Sequence, residues 1–479
     1  MSIKVRVAPR VVRETLSICP VCMGRVNAEI IRRGYEYFLE KTCAGHGLFS
    51  TIVWRGDNPS YGEWGAGYAP PVEGEKSAPD CPEGCGLCPG HLQKTCCALV
   101  EVTRNCNLSC PVCFAGSGVG KSSETGLTSG TGLTSGTGLA SGTGVSCEMG
   151  VTSITGEADP SVDDLYAQFE QLVQCGNTFV QLSGGEPTER SDLREIIAVA
   201  KRAGCENIQL NTNGIRLGRD SLLAKELREA GLSFVFMQFD GTKDDIFIKL
   251  RGKPLLADKI AAIENCSDAL LGVTLVPTLV PGVNCDNIGS IIDFGFTNSP
   301  AVRGVHFQPV SYFGRYPHPP GNEDRITLPE VLRAIEEQTG GKLRVSNFAP
   351  SRCDHPYCGF HGDFVVLPGK EIMKLTAKSA APCCGDDEHL KNRNFVARRW
   401  NRTVKNEADG GDSADFSELN AFAKRIKSHG FTITAMVFQD AWNLDIERLR
   451  RCSLHVSDHG NLTPFCANYI SAAKPLFNA

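Results

Sequence analysis

Between residues 161 and 310 helix-like and strand-like stretches alternate, and this restricts the fold more than any other feature of the chain. Apolar residues recur at helical spacing over 163–174, 191–203, 220–230, 258–263 and 286–294. Between these lie short runs rich in β-branched and aromatic residues at 178–183, 207–211, 234–239, 272–278 and 304–308, and a similar run, 99–103, precedes them. Parallel strands need long crossovers, and helices of this length supply them. The expectation is an α/β fold, a partial (β/α)6 TIM-like barrel over 98–310, with its chemistry at the C-terminal ends of the strands. Residues 1–60, 61–97 and 311–479 then read as cysteine-rich extensions, with a helix at 416–429 and a strand at 432–438 in the last.

The chain carries 22 cysteines in 479 residues. Disulfide scaffolds are short and secreted. This chain is long, and its start, MSIKVRVAPRVVRE, has no apolar leader core, so a cytoplasmic protein with metal-ligating thiolates is expected. Lys and Arg number 49 against 54 Asp and Glu, a net charge of −5, which argues against holding nucleic acid by bulk charge. The longest apolar run, 269–283, contains two prolines and falls short of the roughly 20 residues of a membrane span. No integral membrane segment is expected; peripheral contact is left open.

The cysteines fall into groups. Cys106-x3-Cys110-x2-Cys113 follows the first strand, and three thiolates on one loop can face a single iron–sulfur cluster, leaving one iron open. Cys81, Cys85, Cys88 and Cys96, with Cys97 adjacent, suit an auxiliary 4Fe–4S cluster or a tetrahedral zinc. Cys19-x2-Cys22 with Cys43-x2-His46 has the spacing of one mononuclear ion, zinc or iron. Cys353, Cys358, Cys383, Cys384, Cys452 and Cys466 are scattered; Cys353, Cys358, Cys383 and Cys466 are chosen for a second auxiliary cluster. Cys147, Cys175, Cys205, Cys266 and Cys285 have no partner spacing and read as buried or free thiols. The stretch 116–158, with its TGLTSG, TGLTSG and TGLASG repeats, has too few large apolar residues to offset its ordering entropy and is expected to be a disordered insertion.

Polar turns close the strands: Ser183-Gly184-Gly185-Glu186-Pro187 the second, Asn211-Thr212-Asn213-Gly214 the third, Gln238-Phe239-Asp240-Gly241 the fourth. The glycines allow close backbone approach to a ligand. His306 and Gln308 on the sixth strand point the same way, although each of these groups also reads as an ordinary turn or core residue.

With its CxxxCxxC loop and GGEP-type turn in this order, the chain resembles the radical S-adenosylmethionine (SAM) superfamily. The CPVC unit, the CPEGCGLCPGHLQKTC block, the FQPVSYFGR segment and CSLHVSDHGNLTPFC resemble the subgroup holding the archaeal tetraether lipid synthase and radical SAM dihydropterin methyltransferases. Filled as grouped, the cysteines would hold three 4Fe–4S clusters and one mononuclear Fe or Zn, and the resemblance adds SAM and an electron donor such as ferredoxin or flavodoxin. It also implies SAM contacts by Gly184, Gly185, Glu186, Pro187, Asn211, Asn213, Gln238 and Asp240. It implies cleavage of SAM to a 5′-deoxyadenosyl radical that takes hydrogen from an unactivated carbon. The repeat insertion departs from the subgroup.

The preferred substrate reading is C–C bond formation on a lipid, with Leu270, Leu271, Val273, Leu275, Val276, Leu279 and Val280 as candidates for an apolar tunnel wall. The close alternative is methyl transfer to a dihydropterin. A multi-cluster electron carrier is the non-enzyme alternative, and a peptide-modifying maturase ranks behind it because residues 1–60 are small and metal-bound.

Overall fold

The structure is a computed structural model that describes residues 9–66, 91–117, 159–351, 353–375, 393, 400, 402, 417–458 and 461–472. Cys81, Cys85, Cys88, Cys147, Cys383, Cys384 and nearly all of the repeat stretch lie outside the described residues.

Near the N-terminus four strands pair antiparallel in chain order: β1 (Arg10–Ile18), β2 (Arg25–Arg33), β3 (Glu36–Cys43) and β4 (Gly47–Arg55). The β1–β2 turn carries Cys19 and Cys22, and the β3–β4 turn follows Cys43 and carries His46. Alternate residues of β3 (Tyr37, Leu39, Lys41) are buried, as the period of a one-sided sheet requires.

The main sheet contains the six expected strands, β5 (Cys97–Thr103), β6 (Phe179–Gly184), β7 (Asn207–Thr212), β8 (Phe234–Gln238), β9 (Gly272–Val276) and, after the two-residue β10 (Thr278–Leu279), β11 (Val302–Pro309). These six pair parallel in that order. The expected strand 272–278 divides at Pro277, which has no N–H for the ladder; β10 beyond it pairs with β11. The crossover helices bury one face each: Leu165, Phe169 and Leu172 on the helix Val162–Gln174, spaced four and three apart, are almost inaccessible. Helices Ile215–Arg219, Asp244–Arg251 and Leu328–Gln338 are additional to the expected set.

The sheet is wider than six strands. β12 (Ala349–Pro350), β13 (Gly359–Val366) and β14 (Ile372–Lys374) are followed by helix Ser417–His429 and by β15 (Gly430–Met436), β16 (Leu454–Asp458) and β17 (Asn461–Pro464). β15 adds in parallel to β11, and β16 adds in parallel to the far edge at β5, with Leu454 opposite Cys97. β13 continues antiparallel from β15, and β17 forms a hairpin with β16. The stretch after 311 thus extends both edges of one sheet. Among the described residues no strand joins those two edges, and no helix is long and apolar enough to cross a membrane.

Candidate functional site

The loop Cys106–Cys113 leaves the C-terminal end of β5. Its apolar side packs Leu108 and Cys110 against Ile215, Phe247 and Leu255. A second segment grips it. Cys113 and Arg315 exchange two backbone hydrogen bonds of 2.9 Å each, and the Arg315 guanidinium donates to the Cys110 and Ser117 carbonyls at 2.8 and 2.7 Å. Gly314, at φ +67°, is required here, since a Cβ would stand 2.4 Å from the Cys113 carbonyl oxygen.

The turn after β6 supports the loop from the other side. Gly184 has φ +123°, and a Cβ on Gly185 would lie 2.1 Å from the Asn105 carbonyl oxygen, so this turn approaches the cysteine loop backbone to backbone. Glu186 is fully buried and its carboxylate accepts four hydrogen bonds. These come from the Thr188 N–H (3.1 Å), the Thr188 hydroxyl (2.6 Å), the Thr212 hydroxyl (2.6 Å) and the Asn213 N–H (2.6 Å). Burial pushes its pKa up, and those donors counter the push. Asn213 in turn donates to the Asn107 side-chain oxygen at 2.7 Å, tying the β7 turn to the cysteine loop.

Past β8, Asp240 has no exposed surface and pairs with Arg251 through bonds of 2.6 and 2.8 Å, while also accepting from the Thr278 N–H and from Gln238. Burial opposes charge on Arg251, yet this pairing holds its pKa above the ordinary value. Lys259, buried beside them, donates to the Asn213 carbonyl and to Gln238 Oε1; burial draws its pKa down to about 7.

These turns surround one cavity of about 400 Å³. Cys106, Cys110 and Cys113 line it together with Gly184, Gly185, Glu186, Asn211, Asn213, Gln238 and Arg251. Pro187 and Asp240 do not; Asp240 braces Gln238 and Arg251, which do. Deeper along the strands, polar side chains stand among apolar ones. Gln209 donates to Gln181 at 2.8 Å, and His306 Nδ1 lies 2.7 Å from the Thr434 hydroxyl, with Gln308, His361 and Asp363 on the same wall. Phe236 and Trp400 supply an aromatic corner, their rings 5.1 Å apart. Burial holds the His306 pKa down at about 4.

The expected apolar tunnel wall is corrected. Leu271, Val273, Leu275 and Leu279 belong to the core, and Leu270 is exposed; of that run only Val276 lines the cavity. Alternation along β9 sends Val273 and Leu275 to the face opposite Val276.

In the N-terminal sheet the ligand atoms of Cys19, Cys22, Cys43 and His46 all lie within 4.8 Å of one another. His46 Nδ1 is 3.6 Å from Cys19 Sγ and 3.4 Å from Cys43 Sγ. Contact with His46 draws the Cys43 pKa down to about 6, towards the thiolate a metal would need. Three sulfurs and one imidazole converging at the tips of two turns fit a tetrahedral ion.

Of the remaining sulfurs, Cys96, Cys97 and Cys353 line the same central cavity as the Cys106 loop. Cys358 accepts from Arg448 at 3.5 Å and Cys466 from the Gln439 N–H at 3.2 Å. Cys452, left out of the expected set, feels the charges of both Cys358 and Cys466. Sequence reasoning also missed Arg251, Lys259 and Arg315, since nothing in their spacing ties them to a cysteine loop more than a hundred residues away.

The chain matches the radical SAM superfamily over residues 100–295 and the HMPTM N-terminal zinc ribbon domain over residues 11–55. It is 32% identical over 507 aligned residues to 7,8-dihydro-6-hydroxymethylpterin dimethyltransferase of Methanocaldococcus jannaschii, covering 95% of this chain and 92% of that protein. It is 30% identical over 269 residues to Fe-coproporphyrin III synthase of Methanosarcina barkeri, covering 54% and 56%. Among solved structures, the FeFe-hydrogenase maturase HydG of Carboxydothermus hydrogenoformans is similar with a TM-score of 0.36 at 10% identity, covering 52% of each chain.

Proposed function

This chain belongs to the radical SAM superfamily, and on that premise we propose that it transfers one-carbon units to a reduced pterin of the 6-hydroxymethyl-dihydropterin class. The observation that carries this reading is a group of polar side chains in an otherwise largely apolar cavity: Gln181, Gln209, His306, Gln308, His361 and Asp363 line the space beyond the cysteine loop. A pterin presents alternating donors and acceptors along its pyrimidine edge, which amides and a carboxylate can match. An alkyl chain would desolvate those groups without replacing their partners, at about 1–3 kcal/mol for each one left unsatisfied. The near full-length relative that acts on such a pterin supports the same choice. The lipid reading loses the 270–280 run that favoured it, of which only Val276 lines the cavity.

When bound, the cluster and SAM would supply a 5′-deoxyadenosyl radical. Cys106, Cys110 and Cys113 would hold the cluster, with an electron arriving from a low-potential donor such as ferredoxin or flavodoxin. The backbone of Gly184 and Gly185, with Asn211, Asn213 and Gln238, would orient the cofactor. Glu186 and Asp240 would fix the turns that carry those groups, because their oxygens are already committed. Phe236 and Trp400 offer a planar surface against which a heterocycle can stack. His306, neutral at physiological pH, can donate or accept at the substrate without carrying charge.

The test is anaerobic incubation of reduced, reconstituted protein with 7,8-dihydro-6-hydroxymethylpterin and methyl-labelled SAM, with and without a methylene-tetrahydropterin as the one-carbon donor, read by mass spectrometry. The expected products are 5′-deoxyadenosine and methylated pterin, and Asp363→Asn should raise KM for the pterin more than it lowers kcat. Formation of 5′-deoxyadenosine with the pterin unchanged and a lipid extract consumed would reverse the substrate assignment.

A further inference from the structure

The segment after β8 touches the cysteine loop at three points. Phe247 and Leu255 pack with Leu108 and Cys110. Lys253 Nζ donates to the Asn107 carbonyl at 3.4 Å. Arg251 lies four positions after Phe247, on the same face of the helix Asp244–Arg251. Its guanidinium meets the Cys110 thiol as a hydrogen-bond donor.

The hydrogens of the guanidinium fix which nitrogen serves the sulfur. Arginine has five N–H bonds in a planar fork. Nε donates its one hydrogen to Asp240 Oδ2 at 2.6 Å. Nη2 donates to Asp240 Oδ1 at 2.8 Å and to the Thr278 hydroxyl at 3.2 Å. Nη1 is left for the thiol. Arg251 and Cys110 line the central cavity, whereas Asp240 is fully buried and does not. The carboxylate therefore stands behind the cation, and its two bonds hold the fork in one orientation. Two other cations near the loop are committed elsewhere. Arg315 donates to the carbonyls of Cys110 and Ser117, and Lys259 to the Asn213 carbonyl and Gln238 Oε1.

We propose that Arg251 donates a hydrogen bond to the Cys110 sulfur of the radical cluster and so raises the cluster's reduction potential, with Asp240 as the anchor that aims it. The inference rests on the Cys106 loop holding that cluster and is independent of the substrate. A donor at a ligating sulfur draws negative charge away from the irons. The reduced cluster carries one electron more than the oxidised one, so it gains more from that bond.

The test uses full-length protein reconstituted anaerobically, without SAM, and followed by EPR during a redox titration. The reduced signal that Cys106→Ala lacks belongs to the radical cluster. In protein carrying guanidinium-15N arginine, pulsed EPR on that signal should show a weak 15N coupling, absent from Arg251→Met. Arg251→Met should also disfavour the reduced cluster about tenfold, which for one electron is about 59 mV lower in potential. That variant leaves the Asp240 carboxylate buried without its cation, so Arg251→Met combined with Asp240→Asn is measured beside it and should shift in the same direction. Coupling that survives in Arg251→Met, or an unmoved potential in the double variant, overturns the proposal; weaker SAM binding alone would then assign Arg251 to the cofactor. A reduced protein with no Cys106-dependent signal and no 5′-deoxyadenosine from SAM overturns the cluster assignment itself, and the proposal with it.

Discussion

Glu186 shows how one side chain can shape a site through the turns it joins. Both of its oxygens are occupied by donors from the turns after β6 and β7. A glutamine would turn an amide NH2 towards a backbone N–H, that of Asn213 or of Thr188, which cannot move away. Glu186→Gln should therefore destabilise the protein by about 3 kcal/mol in urea unfolding, and should weaken SAM binding even where the fold survives. His306 gives a pH signature. Its folded pKa is about 4, below the ordinary 6.5. Between those values the unfolded chain takes up a proton that the folded chain does not, so stability falls as pH drops through that window. His306→Asn lacks this loss. Going from pH 7.5 to 5.5 should move the stability gap in the variant's favour by on the order of 1 kcal/mol, measured on protein without clusters. An unchanged gap would mean that His306 is already solvated through the cavity.

At the scale of elements, the cysteine loop is clamped between the Gly184–Gly185 turn and the Phe313–Arg315 segment. Gly185→Ala must push backbone from backbone, because its Cβ would meet the Asn105 carbonyl. Loss of the radical cluster, seen as iron per chain and as abolished 5′-deoxyadenosine formation, is the expected outcome. Arg315→Met removes only the two side-chain bonds and keeps the Cys113 bridge. The cluster should still assemble but release its iron faster to a chelator. The glycine side of this clamp is legible in the sequence, because a Gly-Gly turn ending a strand marks close approach. The arginine side is not, because 205 positions separate Arg315 from the carbonyl of Cys110 that it holds.

At the scale of the whole molecule, the N-terminal four-stranded sheet is fastened to the rest. Arg13 pairs with Asp445, and Thr15 donates to the same carboxylate at 2.7 Å. Buried Lys41 reaches the Ala441 carbonyl at 2.6 Å, and Arg55 pairs with Glu330 at 2.9 Å. Tyr61 stacks between Tyr37 and Tyr357, with ring centroids 4.5 and 4.0 Å apart. Cys22→Ser, which removes a thiolate from the candidate ion site, should consequently lower the Tm of the entire protein in one transition. An early separate transition in calorimetry would show that the sheet unfolds by itself.

What the sequence determined by itself is whatever local spacing encodes. The strand–helix alternation dictates parallel pairing, three cysteines within eight positions dictate a shared loop, and two short Cys/His spacings bring four candidate ligand atoms together. Tertiary structure alone decided the rest. β15 and β16 join opposite edges of the same sheet, Val276 rather than its apolar neighbours faces the cavity, and Cys452 stands near Cys358 and Cys466. These arrangements depend on contacts between residues far apart in the chain. Such contacts form only when burying the core repays the entropy of closing long loops, and no short-range pattern records that balance.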